Sequence, residues 1–411
     1  MVGRRLEPGD HELRDFLTRI AQPLEWHEAG TPEADELLAR AGAGDAPLPV
    51  LIDGDDVMPG ATIAAVVEAW QVSHGASKTE YDLAIVGAGP AGLAAAVYAA
   101  SDGLSTVVFE RDVPGGQASH TSMIENFFGF PDGIGGAELA RRAGRQAERF
   151  GAELLIRDGL VDGETSTHGA ARFTLESGAE LTARVSLVAA GMDWRRLDVD
   201  GVEELLGRGV YYGAGRSEAS QCGGDDVVVV GAGNSAGQAV LNLANAGAQV
   251  TQVVRGESLG RAMSAYLVHR IEPHPLIEVR LRTQVTELHA EDGHLSGVTV
   301  ATAGGSTEQI PAVALFLCIG GQPRTGWAEG AGVRTDDAGY ILTGPDLLDR
   351  GERPEGWPLD RDPLTLETTV PGLFAAGDVR HGSTKRVAGA VGEGSMAVAL
   401  AHMRLEELAG G

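Results

Sequence analysis

YDLAIVGAGPAGLAAAVYAASDGLSTVVFE, residues 81–110, decides the fold. Leu83–Val86 is an apolar run suited to a strand buried on both faces. Gly87, Gly89 and Gly92 follow at G-x-G-x-x-G spacing. Glycine lets the backbone turn tightly and approach a pyrophosphate closely. The alanine-rich run Ala91–Ala100 then opens a helix whose positive N-terminal end faces such phosphates. Val107, Val108 and Phe109 form a second strand ending on Glu110, 23 residues after Gly87, where an acid accepts ribose hydroxyls. Strand, glycine turn, helix and acid together predict dinucleotide binding. Leu83–Ala100 carries no charge, but its glycines and proline interrupt the continuous turns that a membrane-spanning helix needs.

The chain's 411 residues suffice for two or three domains, and 43% hydrophobic content marks it as globular. A net charge of −26 repels phosphates, so neither nucleic acid nor an anionic membrane surface is expected as partner. The two cysteines, Cys222 and Cys318, stand too far apart for a zinc spacing or a disulfide framework, and no metal site is expected. The N-terminal stretch MVGRRLEPGDHELRDF has no signal-like apolar core, which leads to the expectation of a cytoplasmic protein.

Ahead of the opening stretch, Leu13, Phe16, Leu17 and Ile20 mark one face of a helix. Pro23–His27 reads as a short strand, and Thr31-Pro32 as the capped start of a second helix. Leu48–Ile52 reads as a strand entered through a proline, and Ala61–Trp70 as a last helix. This order resembles a small thioredoxin- or glutaredoxin-like domain over residues 1–76, with its first strand missing and without cysteines. It is either a docking or dimer surface or a domain kept for packing. Residues 71–80 are small and polar, as in a linker.

At Val227 the opening pattern recurs as VVVVGAGNSAGQAVLNLANAGAQVTQVVRG. Gly231 and Gly233 repeat the turn 144 residues after the first, and Ala236 stands at the third glycine position with Gly237 beside it. The second strand of this repeat ends on Arg255 instead of an acid. An arginine there suits a 2′-phosphate, which favours NADPH over NADH, with Arg261 as a helper; the alternative for either is a plain surface arginine. Near the C-terminus, VPGLFAAGD (370–378) is an apolar strand stopping at Gly377-Asp378, and a helix of small residues follows from Ala388. Asp378 suits the ribitol of a flavin or, alternatively, a helix or turn cap, and a helix start near Arg386-Val387 favours negative charge on a reduced flavin.

GAGPAG, Glu110, PGGQ, IENFFGFP, GAGNSAG, FLCIGGQPRT and PGLFAAGDVR occur in that order, and from about Tyr81 onward the chain resembles the low-molecular-weight thioredoxin reductases of the pyridine nucleotide-disulfide oxidoreductase family. The resemblance implies an α/β protein with two Rossmann-like (three-layer ββα) domains, an FAD domain of residues 81–195 and 325–411 and an inserted NAD(P)H domain of 196–324. It implies FAD contacts from Gly87, Gly89, Pro90, Ala91, Gly92, Glu110, Arg111, Gly116, Gln117, Thr121, Asn126, Gly377, Asp378, Arg386 and Val387. For the nicotinamide nucleotide it implies Gly231, Gly233, Asn234, Ser235, Ala236, Arg255 and Arg261. A homodimer is also implied, as is a nucleotide domain that swivels during turnover.

The family's redox-active Cys-x-x-Cys is missing: its positions fall on Gly213 and Arg216. Cys222 and Cys318 read as packed core thiols, and a lone thiol cannot turn over a dithiol cycle unaided. The expected activity is therefore an FAD-dependent oxidoreductase reduced by NAD(P)H and passing electrons directly to an external small-molecule or protein acceptor. Alternatively, the flavin oxidises a small substrate and is reoxidised by oxygen. His120, Tyr211, Tyr212 and Arg216 are candidates to line the flavin face. The rival readings are a thioredoxin-disulfide reductase using external thiols or Cys222, and a non-enzymatic flavin redox sensor.

Overall fold

The computed structural model describes the chain except for residues 73–74, 166–169, 214–215, 220 and 411; of Arg216 and Ser217 it describes the backbone alone. The chain forms two compact units, one of Met1–Trp70, His120–Met123 and Trp194–Gly320, the other of Gln71–Ser119, Ile124–Asp193 and Gly321–Gly411.

The first seventy residues contain β1 (Val2–Gly3), α1 (Pro8–Arg19), β2 (His27–Glu28), α2 (Pro32–Arg40), β3 (Leu51–Asp53), β4 (Asp56–Met58) and α3 (Ile63–Ala69). β1 lies parallel to β2, Val2 bridges Val50 in the antiparallel sense, and β3 and β4 form a hairpin. The strand expected to be missing is thus present at Val2–Gly3, too short to leave a periodic signal. The strand expected at Pro23–His27 shrinks to His27–Glu28, and that expected at Leu48–Ile52 begins at Leu51, after a proline with no N–H for a ladder. The Thr31 hydroxyl accepts the Ala34 N–H and caps α2 as expected. Leu13, Phe16 and Leu17 bury one face of α1.

Distant polar partners place these residues in one unit with Trp194–Gly320. Arg5 pairs with Asp225 at 2.5 Å, His11 with Glu218 at 3.7 Å, and the His11 ring lies 4.7 Å from that of Tyr211. Pro8 meets Gly207, where an added Cβ would come within 3.0 Å of its Cα.

β5 (Glu80–Val86), α4 (Pro90–Ser101), β6 (Thr106–Glu110), α5 (Gly136–Arg149), β7 (Glu153–Ile156), β8 (Leu160–Thr165), β9 (Ala171–Leu175), β10 (Glu180–Val188) and β11 (Met192–Trp194) follow in the chain. Then come β12 (Val210–Tyr212), α6 (Arg216–Ala219), β13 (Asp226–Val230), α7 (Asn234–Asn245), β14 (Gln249–Val254), α8 (Ala265–Ile271), β15 (Ile277–Leu281), β16 (Thr283–Glu291), β17 (His294–Thr302), β18 (Thr307–Pro311) and β19 (Ala314–Leu317). β20 (Gly321–Pro323), β21 (Leu373–Ala375) and α9 (Val387–Gly410) complete it.

In the second unit the sheet runs β7-β6-β5-β10-β9-β8, and β21 pairs with the far half of β10. β7, β6, β5, β10 and β21 are parallel, whereas β8 and β9 add an antiparallel edge. Leu83, Ile85, Val108 and Leu187 pack against the alanines of α4 and α9. In the first unit the parallel sheet runs β12-β19-β13-β14-β15, and β16-β17-β18 form a separate antiparallel sheet. Each unit has a strand–glycine turn–helix–strand element with the turn at the carboxyl end of a central strand, where open α/β sheets bind ligands. No helix among the described residues is long and apolar enough to cross a membrane. No cluster of metal ligands occurs among them.

Candidate functional site

The first glycine turn is held by backbone against backbone. Gly87 has φ +102°, and a Cβ there would meet the Ala189 carbonyl oxygen at 2.6 Å. A Cβ on Gly92 would stand 1.9 Å from the Gly87 carbonyl oxygen, so nothing larger lets α4 sit this close to β5. Above Gly89 there is no atom within 4 Å, and α4 starts at Pro90 without a side-chain cap. Its free N–H groups and open space make a cradle for an anionic group. Ala91 is buried beneath the cradle.

Glu110 closes the turn. One carboxylate oxygen accepts the Ala88 N–H at 2.9 Å and the other the Asp112 N–H at 2.9 Å. Burial pushes its carboxyl above the usual range, and these two N–H groups pull in the opposite direction. Next door, Gly115 donates its N–H to the Ala88 carbonyl at 2.7 Å, and a Cβ on Gly116 would lie 3.5 Å from the Gly89 Cα. The Gln117 amide donates to the Met192 carbonyl at 2.7 Å. Arg111 pairs with Asp193 at 3.5 Å, and Arg324 also reaches Asp193. Asn126 is exposed in the loop that follows. Thr121 belongs to the His120–Met123 segment, which groups with the other unit.

The Gly377-Asp378 strand end reaches the same turn. Gly377 has φ +77°, with a virtual Cβ 3.0 Å from that of Ala91. A Cβ on Gly394 of α9 would strike the Ala91 carbonyl oxygen at 2.1 Å. The Asp378 carboxylate is half-buried and accepts no hydrogen bond from a described residue. Burial raises its pKa, opposed by Lys385 and aided by Glu393. Lys385 donates to the Asp378 carbonyl at 2.6 Å and lies 4.2 Å over the Tyr340 ring. α9 starts at Val387, and Arg386 before it is exposed. An unspent carboxylate beside a phosphate-sized cradle, with a fixed acid at the neighbouring strand end, fits a dinucleotide such as FAD.

The second turn is built with more slack. A Cβ on Gly231 would meet the Cys318 carbonyl oxygen at 2.3 Å, but Ala236 fits at the third position, its Cβ 3.0 Å from that point. The adjacent Gly237 lets α7 pack on Met263, whose sulfur lies 2.7 Å from its virtual Cβ. The Asn234 side-chain oxygen accepts the Ser264 N–H at 2.7 Å, and Ser235 is exposed. Arg255 and Arg261 are exposed, with no ion pair to a described residue. Sequence reasoning missed Gln252, whose buried amide donates to the Gly231 carbonyl at 2.9 Å. A glutamine inside the apolar run of β14 was its only signal.

Gly213, at one of the two positions that correspond to the family's redox cysteines, has φ +79° and faces the Trp194 ring, 3.7 Å from its virtual Cβ, and His120, at 3.9 Å. The His120 ring stands edge-on to Trp194 at 6.0 Å and pairs with Asp15 at 3.7 Å. Tyr211 does not offer an open face: it is buried between His11 and Phe316, whose ring stacks on it at 5.5 Å. Its short strand joins the sheet beside β19, which turns the ring into the core. Tyr212 is half-buried under the Arg196 guanidinium at 5.3 Å. The Arg216 side chain and residues 214–215 lie outside the described residues. Cys222 and Cys318 are both free and buried, and burial pushes their pKa values up to about 11 and about 12. Arg5 at 3.8 Å from the Cys222 sulfur pulls that thiol down without offsetting burial.

A sequence model of the family described as "Pyridine nucleotide-disulphide oxidoreductase" matches residues 81–394. The chain belongs to that family. Among its relatives, a thioredoxin reductase of Bacillus subtilis is 35% identical over 331 residues, covering 80% of this chain and 96% of the relative. One from Listeria monocytogenes is 34% identical over 339 residues, covering 80% and 95%. The thioredoxin reductase of Lactococcus lactis superposes with a TM-score of 0.70 at 27% identity, covering 80% of this chain and 99% of that structure. These relatives support an oxidoreductase with Rossmann-like domains. Residues 1–80 lie outside the family match.

Proposed function

We propose that this protein is an FAD-dependent oxidoreductase that takes electrons from NADPH or NADH and passes them to an external small-molecule or protein acceptor without an internal disulfide. The carrying observation is a contrast inside the chain. At the first glycine turn Gly87 and Gly92 leave no room for a side chain and Gly89 faces open space, as suits a dinucleotide, while the only two cysteines are buried 96 positions apart in sequence. Bound FAD supplies the ability to accept a hydride and to release electrons singly or in pairs.

The chain's own residues then have defined tasks. The α4 N-terminus and the Gly89 space receive the pyrophosphate, and Glu110 accepts ribose hydroxyls. Gly116 and Gln117 border the cradle, and Asp378 accepts from the flavin's polyol chain. Gly231, Gly233 and the α7 N-terminus take the nicotinamide dinucleotide, with Arg255 and Arg261 as donors for a 2′-phosphate. The division assigned is residues 81–195 with 325–411 for FAD and 196–324 for the nicotinamide nucleotide. Residues 1–76 form a cysteine-free thioredoxin-like domain, a reading supported by their β-α-β-α-β-β-α order with β1 parallel to β2. The protein is assigned to the cytoplasm as a homodimer. Anaerobic mixing with NADPH is expected to bleach the flavin band; no bleaching with NADPH or NADH removes this reading.

The names of the relatives favour a second reading, a thioredoxin-disulfide reductase that borrows thiols from a partner or uses Cys222. Loss of a thioredoxin-linked activity on Cys222→Ser and Cys318→Ser substitution, with flavin still bound, would support it.

A further inference from the structure

The turn that carries Asp378 has a buried anchor outside every glycine motif. The 3₁₀ turn Gly377–Val379 lies between the first turn of α4 and the body of α9, with Ala91 and Ala390 on either side of Gly377. Gly377 is buried, so its N–H cannot turn to water. A carboxylate oxygen of Glu393 accepts that N–H at 2.7 Å. The same carboxylate pairs with Arg380 just beyond the turn, at 2.7 Å and 3.2 Å. At the other end of the turn the Lys385 ammonium takes the Asp378 carbonyl at 2.6 Å and the Ser383 hydroxyl at 2.8 Å. The backbone around Asp378 is thus gripped on both sides while its carboxylate stays unspent. Gly394, next to Glu393, lets α9 approach the Ala91 carbonyl closely enough for the grip to form.

We propose that Glu393 is a positioning residue: by anchoring the Gly377 N–H it holds the Asp378 carboxylate ready for the hydroxyl donors of the cofactor. This rests on the FAD reading above. A purely structural Glu393 would act through its ion pair with Arg380. The two roles separate, because Glu393→Gln keeps an oxygen for the Gly377 N–H but loses the ion pair, whereas Glu393→Met loses both.

The test is titration of the full-length apoprotein with FAD, followed by flavin fluorescence, with thermal unfolding of the same samples. Glu393→Met is expected to weaken FAD binding by about tenfold or more, the scale of a lost hydrogen bond to a charged group. Glu393→Gln is expected to stay within about threefold of wild type, with a smaller loss of thermal stability than Glu393→Met, which also leaves the buried Gly377 N–H without an acceptor. If Glu393 works through Asp378, combining Glu393→Met with Asp378→Asn adds less than about twofold to the weaker single variant. Equal losses in the Gln and Met variants, or effects that multiply in the double variant, overturn the proposal. So does unchanged FAD affinity in Glu393→Met. Should Glu393→Met not fold, Glu393→Asp, too short to reach the N–H, takes its place with the same expectations. Wild type that takes up no FAD defeats the FAD reading instead, and shows itself before any variant is compared.

Discussion

The two glycine turns carry nearly the same sequence, GAGPAG at 87–92 and GAGNSAG at 231–237, and fit their surroundings to different tolerances. At the first, the third glycine has no room for a methyl group, since its virtual Cβ overlaps the Gly87 carbonyl oxygen at 1.9 Å. At the second, an alanine occupies the equivalent place and the nearby glycine serves packing on Met263. The strands that close the turns differ in the same sense. Glu110 is fixed by two backbone N–H groups, whereas Arg255 is exposed and has no ion pair to a described residue. A preorganised acid suits a cofactor that stays bound, and a free cation suits a ligand that must leave in each cycle. Under the proposed assignment of FAD to the first turn and the nicotinamide nucleotide to the second, one motif serves retention or exchange according to what surrounds it.

The largest effect that sharpens this contrast is steric. Gly92→Ala is expected to destabilise the protein by about 3 kcal/mol, since neither the strand nor the helix can yield, whereas Ala236→Gly costs about 1 kcal/mol from helix propensity. Denaturant unfolding of both variants checks it, and equal losses would break the comparison. Next in size is the acid. Glu110→Ala removes the acceptor for the Ala88 and Asp112 N–H groups and is expected to weaken FAD binding at least about tenfold, leaving nicotinamide nucleotide affinity unchanged. Equilibrium titration with each nucleotide separates the two outcomes. Arg255→Ala with Arg261→Ala is expected to weaken NADPH about tenfold and NADH by less than about twofold. Equal weakening of both would show that the arginines do not read the 2′-phosphate.

The smallest effect concerns the thiols. Both folded-state pKa values are raised above the ordinary value of 9.0, to about 11 and about 12. The unfolded chain therefore loses these protons first, and the stabilisation is complete below pH 9 and is lost as pH rises toward the folded values. Stability followed by urea unfolding from pH 8 upward should fall in wild type, and fall less in a variant with both cysteines replaced by alanine.

Much of the site was legible because its constraints are local. A strand, a glycine turn and a helix are contiguous, so Gly87, Gly89, Gly92, Glu110 and their repeat at Gly231 could be read from spacing alone. Gly377-Asp378 was legible as a strand end. Partners distant in sequence were not. Nothing near Arg5 announces Asp225, 220 positions away, and so the grouping of Met1–Trp70 with Trp194–Gly320 left no trace in composition or periodicity. Tyr211 looked available beside a missing dithiol, but its neighbour in the fold is Phe316. Gln252 and Glu393 were overlooked for the same reason: each answers a backbone group that belongs to another element.

The central claim is that electrons leave the cofactor without passing through sulfur. It is tested most directly by the steady-state rate at which a cysteine-free Cys222→Ala/Cys318→Ala variant, with FAD bound, reduces a small quinone or dye at the expense of NADPH. The account predicts a rate within about twofold of wild type, because both thiols are buried and protonated at neutral pH. A fall of tenfold or more with the flavin still in place and still bleached by NADPH would contradict it.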